Sequence, residues 1–339
     1  MLMRRWGGHW TDDGWTAAIW APQAKRVELI LTGQAIPMDA QTDGFWTATV
    51  AARPGDRYLL RIDGRDIPDP ASRLQAGDVH APSVVTGPGE YPWQAPWSGR
   101  PWSDAVIYEL HLGTFTPEGT LPAAMEKLAG LADLGITAIE LMPVGQWQGD
   151  RGWGYDGVLP YALHPAYGSP DDLRRFVDHA HSLGLMVILD LVMNHFGPDG
   201  AHLHHAAPAF FDESRHTPWG AAIDFSQPAV QEYWIQCAEY WLGEYRLDGL
   251  RLDAVHQISG PGADDFMTTL ARRARAVDEN RPIHLIVEDE RNEPFLREHG
   301  YDASWNDDFH HVIHCALTGE SDSYYASFAK DPVGDLALA

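Results

Sequence analysis

From residue 105 onward the sequence alternates between short apolar runs and amphipathic stretches, and this rhythm limits the possible fold more than any other feature. The apolar runs are typical of strands: AVIYELHL (105–112), TAIELMPV (137–144), LMVILDLVM (185–193), GLRLDAV (249–255), HLIVEDE (284–290) and ASWN (303–306). The intervening stretches predict helices over 121–135, 169–184, 227–245, 261–277 and 292–300. Apolar strands joined by helices predict a parallel sheet. Because polar residues recur at the strand ends, this α/β pattern fits a (β/α)₈ TIM barrel better than an open sheet.

The number of recognisable strands is six, whereas a closed barrel of this kind has eight. Six units would leave an open edge with unpaired backbone groups and an exposed apolar interior. We therefore expect an incomplete barrel, either because the sequence is part of a longer one or because two strands escape recognition.

Residues 1–95 follow a different rhythm, with short strands and frequent turns. The strand-like runs WTAAIWAP, RVELILT, FWTATV and RYLLRID are separated by Asp-Gly, Pro-Gly and Thr-Gly pairs. This pattern predicts an N-terminal β-sandwich. A linker rich in Pro, Gly and Trp follows over 85–102. The expected domains are therefore a sandwich over 1–95 and a barrel over 96–339.

The composition excludes several classes of function. A net charge of −24, from 24 basic and 48 acidic residues, argues against nucleic-acid binding, which needs basic clusters. Two isolated cysteines form neither a disulfide framework nor a CxxC metal site. The first residues lack the apolar core of a signal peptide, and no run is long enough to span a membrane. We expect a cytoplasmic protein with a neutral ligand. The 14 Trp rings could stack on sugars or simply pack in the core.

The fourth strand carries two charged residues that share a face. Arg251 and Asp253 lie two positions apart, and alternate side chains of a strand point the same way. On the inner face of a barrel, near the C-terminal end of a strand, such a pair indicates a site. A plain buried ion pair is the alternative, and this pair alone does not decide between the two.

Neighbouring strand ends carry further polar groups. The third strand ends in Asp190, Asn194 and His195, and the fifth carries Glu288. Carboxylates on adjacent strands, about 4.8 Å apart, suit retaining glycoside hydrolysis, in which the two carboxyl groups lie about 5 Å apart. An adjacent Arg favours the ionised form of a nucleophilic carboxylate. Together these residues predict a carbohydrate-active site at the C-terminal ends of the strands.

Several motifs resemble a known family. DLVMNH, GLRLDAVH and the Glu of IVEDE resemble three conserved regions of the α-amylase superfamily of glycoside hydrolases. YELHLGTFTPEGT (108–120), WGYDGVLPYALHPAYGSP (153–170), TPWGAAIDF (217–225) and WNDDFHH (305–311) are similar to the malto-oligosyltrehalose trehalohydrolase family within it. WAPQAKRVEL (20–29) and DIPDPASRLQAGDVHAPS (66–83) resemble its carbohydrate-module-like N-terminal sandwich. The resemblance covers nearly the whole chain.

This resemblance implies a role for individual residues. Asp253 would be the nucleophile and Glu288 the acid/base. His195 and Tyr155 would contact the sugar next to the scissile bond, and WNDDFHH would lie near the trehalose side, although Asn306 or Asp307 could simply cap a helix. The residues expected to bind substrate are Arg251, His195, Tyr155, His256, Trp305, Asp307, Asp308 and His311. We expect no cofactor and no metal.

The implied activity is hydrolysis of the α-1,4 bond next to the terminal trehalose of maltooligosyltrehalose, with a trehalose-terminated α-glucan as partner and neither nucleic acid nor membrane. A glycogen-branching enzyme and a non-catalytic α-glucan-binding protein are the alternatives. The fourth conserved region of the superfamily, which supplies a third carboxylate, has no counterpart after residue 311. We therefore expect residues 1–339 alone to show little or no hydrolysis.

Overall fold

The six predicted barrel strands form one parallel sheet in chain order. The protein is described by a computed structural model over residues 5–88, 91–291 and 295–330. The strands are β1 (Ile107–Leu110), β2 (Ala138–Leu141), β3 (Met186–Leu191), β4 (Gly249–Leu252), β5 (His284–Glu288) and β6 (Ala303–Trp305). The predicted fold class is confirmed as an α/β half-barrel with six parallel strands, preceded by a β-sandwich.

Helices lie close to the ranges predicted over 169–184, 227–245 and 261–277, and three further helices, Leu112–Phe115, Leu203–Ala206 and Asp307–Thr318, had no predicted range. The helix predicted over 292–300 is described only from residue 295, because residues 292–294 lie outside the described residues. The bounds of the helices are Leu112–Phe115, Leu121–Met125, Leu128–Leu134, Pro170–Ser182, Leu203–Ala206, Pro228–Glu244, Ala263–Arg275, Phe295–Glu298 and Asp307–Thr318. The single helix predicted over 121–135 is wrong in one respect, because it consists of two short helices. The backbone N–H of Lys127 bonds the carbonyl of Ala124, three residues back, and this tight turn separates them.

The helix after β2 begins as the sequence predicts. The Ser169 hydroxyl accepts a hydrogen bond from the Asp172 backbone N–H at 3.2 Å, and the Asp172 carboxylate accepts from the Ser169 N–H at 2.8 Å. This reciprocal capping box, with Pro170 at the first helical position, fixes where the helix starts.

The register of the sheet places the charged residues at two successive levels of its inner face. Asp190 on β3 lies opposite Arg251 on β4, and Glu288 on β5 lies opposite Trp305 on β6. Side chains in register on parallel strands point to the same face, so Asp253, two residues beyond Arg251, rises above it on that face. The carboxylates therefore gather at the C-terminal ends of the strands.

The N-terminal part consists of two antiparallel sheets. One is formed by His9–Thr11, Gly14–Trp20, Phe45–Val50 and Asp39–Ala40, and the other by Gln34–Pro37, Val27–Leu31, Arg57–Ile62, Arg65–Ile67 and Ser83–Val84. Trp15, Ile19, Leu29 and Leu60 are almost fully buried between them. The sheets therefore pack face to face, as in a sandwich. The domain boundary at residue 95 stays a prediction.

Two hairpins interrupt the βα rhythm and were not predicted from the sequence. Gly145–Gln146 pairs with Leu159–Leu163 after β2, and Phe211–Thr217 pairs with Gly220–Ile223 after β3. Both follow the C-terminal ends of strands, where the active site of a barrel forms. Within the described residues, no helix combines the length and the apolar character needed to cross a membrane.

Candidate active site

The guanidinium of Arg251 is the centre of a cluster of carboxylates. Its Nη1 donates to Asp190 Oδ2 at 2.8 Å and to Asp253 Oδ1 at 2.9 Å, and its Nη2 lies 2.8 Å from Glu288 Oε2. The Arg251 side chain is only 4% exposed. Because one planar guanidinium touches both groups, the contacting oxygens of Asp253 and Glu288 lie within about 8 Å of each other. This upper limit is below the largest separation of the two carboxyl groups in glycoside hydrolases, about 9.5 Å.

Asp253 is held on both of its carboxylate oxygens. Besides the contact with Arg251, its Oδ2 accepts from Asn194 Nδ2 at 2.9 Å, and the same amide donates to the Asp253 backbone carbonyl at 2.8 Å. The carboxylate thus receives charge-assisted hydrogen bonds, which fix its direction. A carboxylate held in one direction at the end of a strand has the placement that a nucleophile needs.

Glu288 is more open to solvent than Asp253. Its side chain is 24% exposed against 11% for Asp253. The backbone N–H of Ala254 donates to Glu288 Oε2 at 3.1 Å. Ala254 has a φ of +43°, in the left-handed region that alanine seldom adopts, so the chain turns sharply directly after Asp253. This turn directs the backbone N–H of Ala254 toward the Glu288 carboxylate.

Asp190 lies beneath the pair and is fully buried. The Tyr155 hydroxyl donates to Asp190 Oδ2 at 2.8 Å. Burial raises the pKa of Asp190 to about 7, although Arg251 opposes this shift. Burial and the nearby Asp190 raise the pKa of Tyr155 well above its ordinary value, so the phenol keeps its proton and remains a donor. Burial lowers the pKa of Arg251, but the surrounding carboxylates outweigh it and raise the pKa overall.

His195 connects the loop of Tyr155 to the cluster. Its Nε2 lies 2.8 Å from the Tyr155 carbonyl oxygen, and its Nδ1 lies 2.5 Å from Asn194 Oδ1. Burial lowers the pKa of His195, which favours a neutral ring at pH 7. The ring stacks on Trp219, with centroids 4.1 Å apart and planes 10° from parallel. Tyr155 and His195 therefore lie beside the carboxylates at the same end of the sheet.

Trp219 was missed as a site residue by the sequence reasoning. It lies in the turn of the hairpin after β3 and is 48% exposed, so one face of its ring covers His195 while much of the side chain remains accessible. TPWGAAIDF was noted as a family-like segment, and a Trp between Pro and Gly directly after the polar run FDESRHT is a signal that could have identified it.

Two more of the residues predicted to bind substrate are Trp305, which contacts Arg251, and His256, which contacts a carboxylate outside the cluster. The Trp305 ring lies over the Arg251 guanidinium, 4.8 Å from its carbon to the ring centroid. His256, in the turn after β4, has its Nε2 3.6 Å from Glu290 Oε1, which is not one of the clustered carboxylates. The cation–π contact helps to hold Arg251 in place, and the role of His256 stays a prediction.

The comparisons with known proteins agree with this geometry. The model described as "Alpha amylase, catalytic domain" matches residues 99–215, and "Carbohydrate-binding module 48 (Isoamylase N-terminal domain)" matches residues 5–77. The malto-oligosyltrehalose trehalohydrolase of Mycobacterium tuberculosis is 44% identical over 329 residues, which cover 92% of this chain and 56% of the relative. That of Deinococcus radiodurans is 41% identical over 313 residues, which cover 91% of this chain and 52% of the relative. This chain is a homologue of the malto-oligosyltrehalose trehalohydrolases.

A solved structure is similar over the whole chain of this trehalohydrolase homologue. The putative alpha amylase from Salmonella typhimurium superposes with a TM-score of 0.95 at 48% identity, covering 100% of this chain and 60% of that one. A 1,4-alpha-glucan branching enzyme of Rhodospirillum rubrum is less similar, at 33% identity, covering 75% of this chain and 39% of the relative. The chain spans about half the length of the curated trehalohydrolases that it matches.

The WNDDFHH segment, whose sequence resembles the trehalohydrolase family, includes the start of the helix Asp307–Thr318. Asn306 Oδ1 accepts from the Phe309 backbone N–H at 2.8 Å, so Asn306 is the N-cap. His311 is buried and packs edge-on against Tyr324, with centroids 4.8 Å apart. Asp308 is half-buried, and the side chain of Asp307 lies outside the described part of the structure. Their contact with a sugar stays a prediction.

Within the described residues of this homologue, no group of three or more His, Cys, Asp and Glu side chains is arranged to hold a metal ion. One further carboxylate escaped the sequence reasoning. Glu140 on β2 is completely buried, and neither of its oxygens has a hydrogen-bond partner among the described residues. A charged residue within the apolar run TAIELMPV is the same signal that identified Arg251.

Proposed function

We propose that this chain carries the catalytic pair of a retaining glycoside hydrolase that cleaves the α-1,4-glucosidic bond next to the terminal trehalose of maltooligosyltrehalose and releases trehalose. The observation that carries the proposal is the single Arg251 guanidinium bonded to both Asp253 and Glu288 at adjacent strand ends. Identities of 37–44% to seven curated trehalohydrolases support this choice of substrate.

Each carboxylate of the pair has a distinct role in this reaction. Asp253, fixed by Arg251 and Asn194, attacks the anomeric carbon of the glucose unit and forms a covalent glycosyl-enzyme. The more accessible Glu288 donates a proton to the glycosidic oxygen, so that trehalose leaves. Glu288 then takes a proton from water, which attacks the glycosyl-enzyme, releases the shortened malto-oligosaccharide and frees Asp253.

The surrounding side chains supply the substrate contacts. The Tyr155 hydroxyl donates to Asp190, and its oxygen can accept a hydrogen bond from a sugar hydroxyl. His195 holds the Tyr155 carbonyl beside it. The exposed ring of Trp219 and the half-buried ring of Trp305 offer flat faces next to the carboxylates. An α-glucan with a trehalose end is therefore the partner that we propose.

The location that we propose is the cytoplasm. Its reducing conditions suit the two buried free cysteines, Cys237 and Cys315.

Replacing Trp219 with Ala should weaken the binding of maltooligosyltrehalose by about threefold to tenfold, since an aromatic contact contributes about 0.5–1.5 kcal/mol beyond area burial. Titration calorimetry in a Glu288→Gln background measures affinity without turnover. The matched control is Trp153→Ala, because Trp153 is 73% exposed and has no aromatic ring contact among the described residues. Equal affinities in the two variants would remove Trp219 from the substrate site.

A branching transferase is the second candidate, favoured by the 33% identity to the Rhodospirillum rubrum enzyme. It would pass the glycosyl group from Asp253 to a sugar hydroxyl instead of water. The test is to incubate the protein separately with maltotriosyltrehalose and with amylose, and to separate the products by chromatography. Trehalose from the first substrate supports the hydrolase. New branch points in amylose, without trehalose release, would establish the transferase and refute the hydrolase.

A further inference from the structure

Glu140 lies on the inner face of the half-barrel, below the carboxylate pair. On β2 it is in register with Glu109 on β1 and with Ile188 on β3. Ala138, two residues earlier on the same face, belongs with Ile188 to a small apolar cluster of the inner face. Ile139, on the opposite face of β2, belongs to the main core. Since Asp190 is two residues beyond Ile188, Glu140 lies one level below Asp190 and Arg251.

The carboxyl group of Glu140 has no hydrogen-bond partner in the part of the chain that the structure describes. Its exposure is 0%, and both oxygens lack a partner among the described residues. Asp190 Oδ1 and Arg251 Nε are also buried without a partner in the same part of the structure. An ionised carboxylate without a partner is very costly in a dry interior, and such a group takes up a proton instead.

The charges around Glu140 also favour its protonated form. The charged groups that face Glu140 are Glu109 from β1, Asp190 from β3 and Arg251 from β4. Arg251, the one cation among them, already contacts Asp190 and the two carboxylates above. An ionised Glu140 would therefore compete for Arg251 through its unused Nε. Burial, followed by the nearby Asp190, raises the pKa of Glu140 to about 8.

We propose that Glu140 is a positioning residue of the site: it stays protonated at neutral pH and so leaves the Arg251 guanidinium to Asp190, Asp253 and Glu288. In alkaline solution Glu140 loses its proton to solvent and attracts Arg251 downward, away from the catalytic pair. The effect on catalysis rests on the proposed function, whereas the protonation of Glu140 does not, and the tests below read the protonation directly.

The first test is the pH dependence of stability. In the folded protein Glu140 holds its proton up to about pH 8, whereas in the unfolded chain Glu loses its proton near pH 4.5. The free energy of unfolding therefore decreases as the pH rises between these two values. Glu140→Gln cannot lose a proton. The measured quantity is the ratio of two unfolding constants, that of the wild type over that of Glu140→Gln. We expect this ratio to rise close to tenfold per pH unit between about pH 5 and pH 8. The matched control is Glu109→Gln, which alters the exposed partner of Glu140 in the register and should leave this ratio nearly flat.

The second test needs no variant and distinguishes Glu140 from Asp190. Infrared spectra of protein labelled with ¹³C in the carboxyl groups of Glu alone should show a protonated-acid band at pH 7 that disappears near pH 8. Absence of that band, or a flat stability ratio for Glu140→Gln, would overturn the proposal. If the band is present but Asp253 forms no glycosyl-enzyme in a single turnover, the protonation of Glu140 stands and the proposed reaction fails.

Discussion

Replacing Asp253 with Asn should lower trehalose release on the order of 10⁴-fold or more, as the loss of a catalytic nucleophile does. The amide cannot attack the anomeric carbon, and its contact with Arg251 loses the charge that favours it. The measurement is single-turnover release of trehalose from maltotriosyltrehalose. Single turnover is chosen because it reads the formation of the glycosyl-enzyme and the release of trehalose without repeated catalysis.

The matched control for this substitution is Asp264→Asn, the same chemical change at an exposed carboxylate in the first turn of a helix. It should leave the rate within about twofold, because surface substitutions outside the site have small effects. If Asp253→Asn kept a rate within tenfold of the wild type, Asp253 would not be the nucleophile.

Replacing Arg251 with Met should destabilise the fold by about 3–5 kcal/mol, because it leaves buried carboxylates without their cation. The loss should be smaller at pH 5 than at pH 8, because burial raises the pKa of Asp190 to about 7 and this group is protonated at pH 5. Arg251→Lys should recover part of the stability only, since an ammonium cannot reproduce the fork that contacts all three groups. Urea denaturation at pH 5 and pH 8 measures both effects.

Arg273→Met is the control for the Arg251 variant. Arg273 also contacts two carboxylates, Glu232 and Glu239, at 2.6 Å each, but its side chain is 20% exposed. When Arg273 is removed, water can solvate Glu232 and Glu239, so we expect the free energy of unfolding to fall by about 1 kcal/mol. An Arg251→Met variant as stable as the wild type would show that the cluster does not depend on its cation.

The half-barrel was predictable because its signals are local and periodic. Apolar runs with β-branched residues mark β3 and β5, and alternation within β4 places Arg251 and Asp253 on one face without any knowledge of neighbours. The start of the helix at Ser169 was equally local, since a cap and a Pro act within one turn. The order of the strands followed from the chain order of βα units.

What was missed depends on contacts between distant parts of the chain. The hairpin that carries Trp219 has a polar first strand, FDESRHT, whose irregular register leaves no alternating pattern to recognise. The stacking of Trp219 on His195 joins two loops and follows from neither sequence alone. The lack of a partner for Glu140 is a property of the packed interior, which strand periodicity does not reveal. Asn306 was predictable as a cap for the opposite reason, because capping involves only the next few residues.

The most direct measurement is to identify the carboxylate that becomes glycosylated. The protein is incubated with an activated fluorinated maltosyl donor that forms the covalent intermediate but hydrolyses slowly, then digested, and the labelled peptide is sequenced by mass spectrometry. A single turnover is enough, so a low basal rate does not prevent the experiment. The pairing of Asp253 and Glu288 on Arg251 predicts a label on Asp253 that persists in Asp264→Asn and is lost in Asp253→Asn. A label on Glu288, on Asp190 or on no carboxylate at all would contradict the assignment of Asp253 as the nucleophile of a retaining hydrolase.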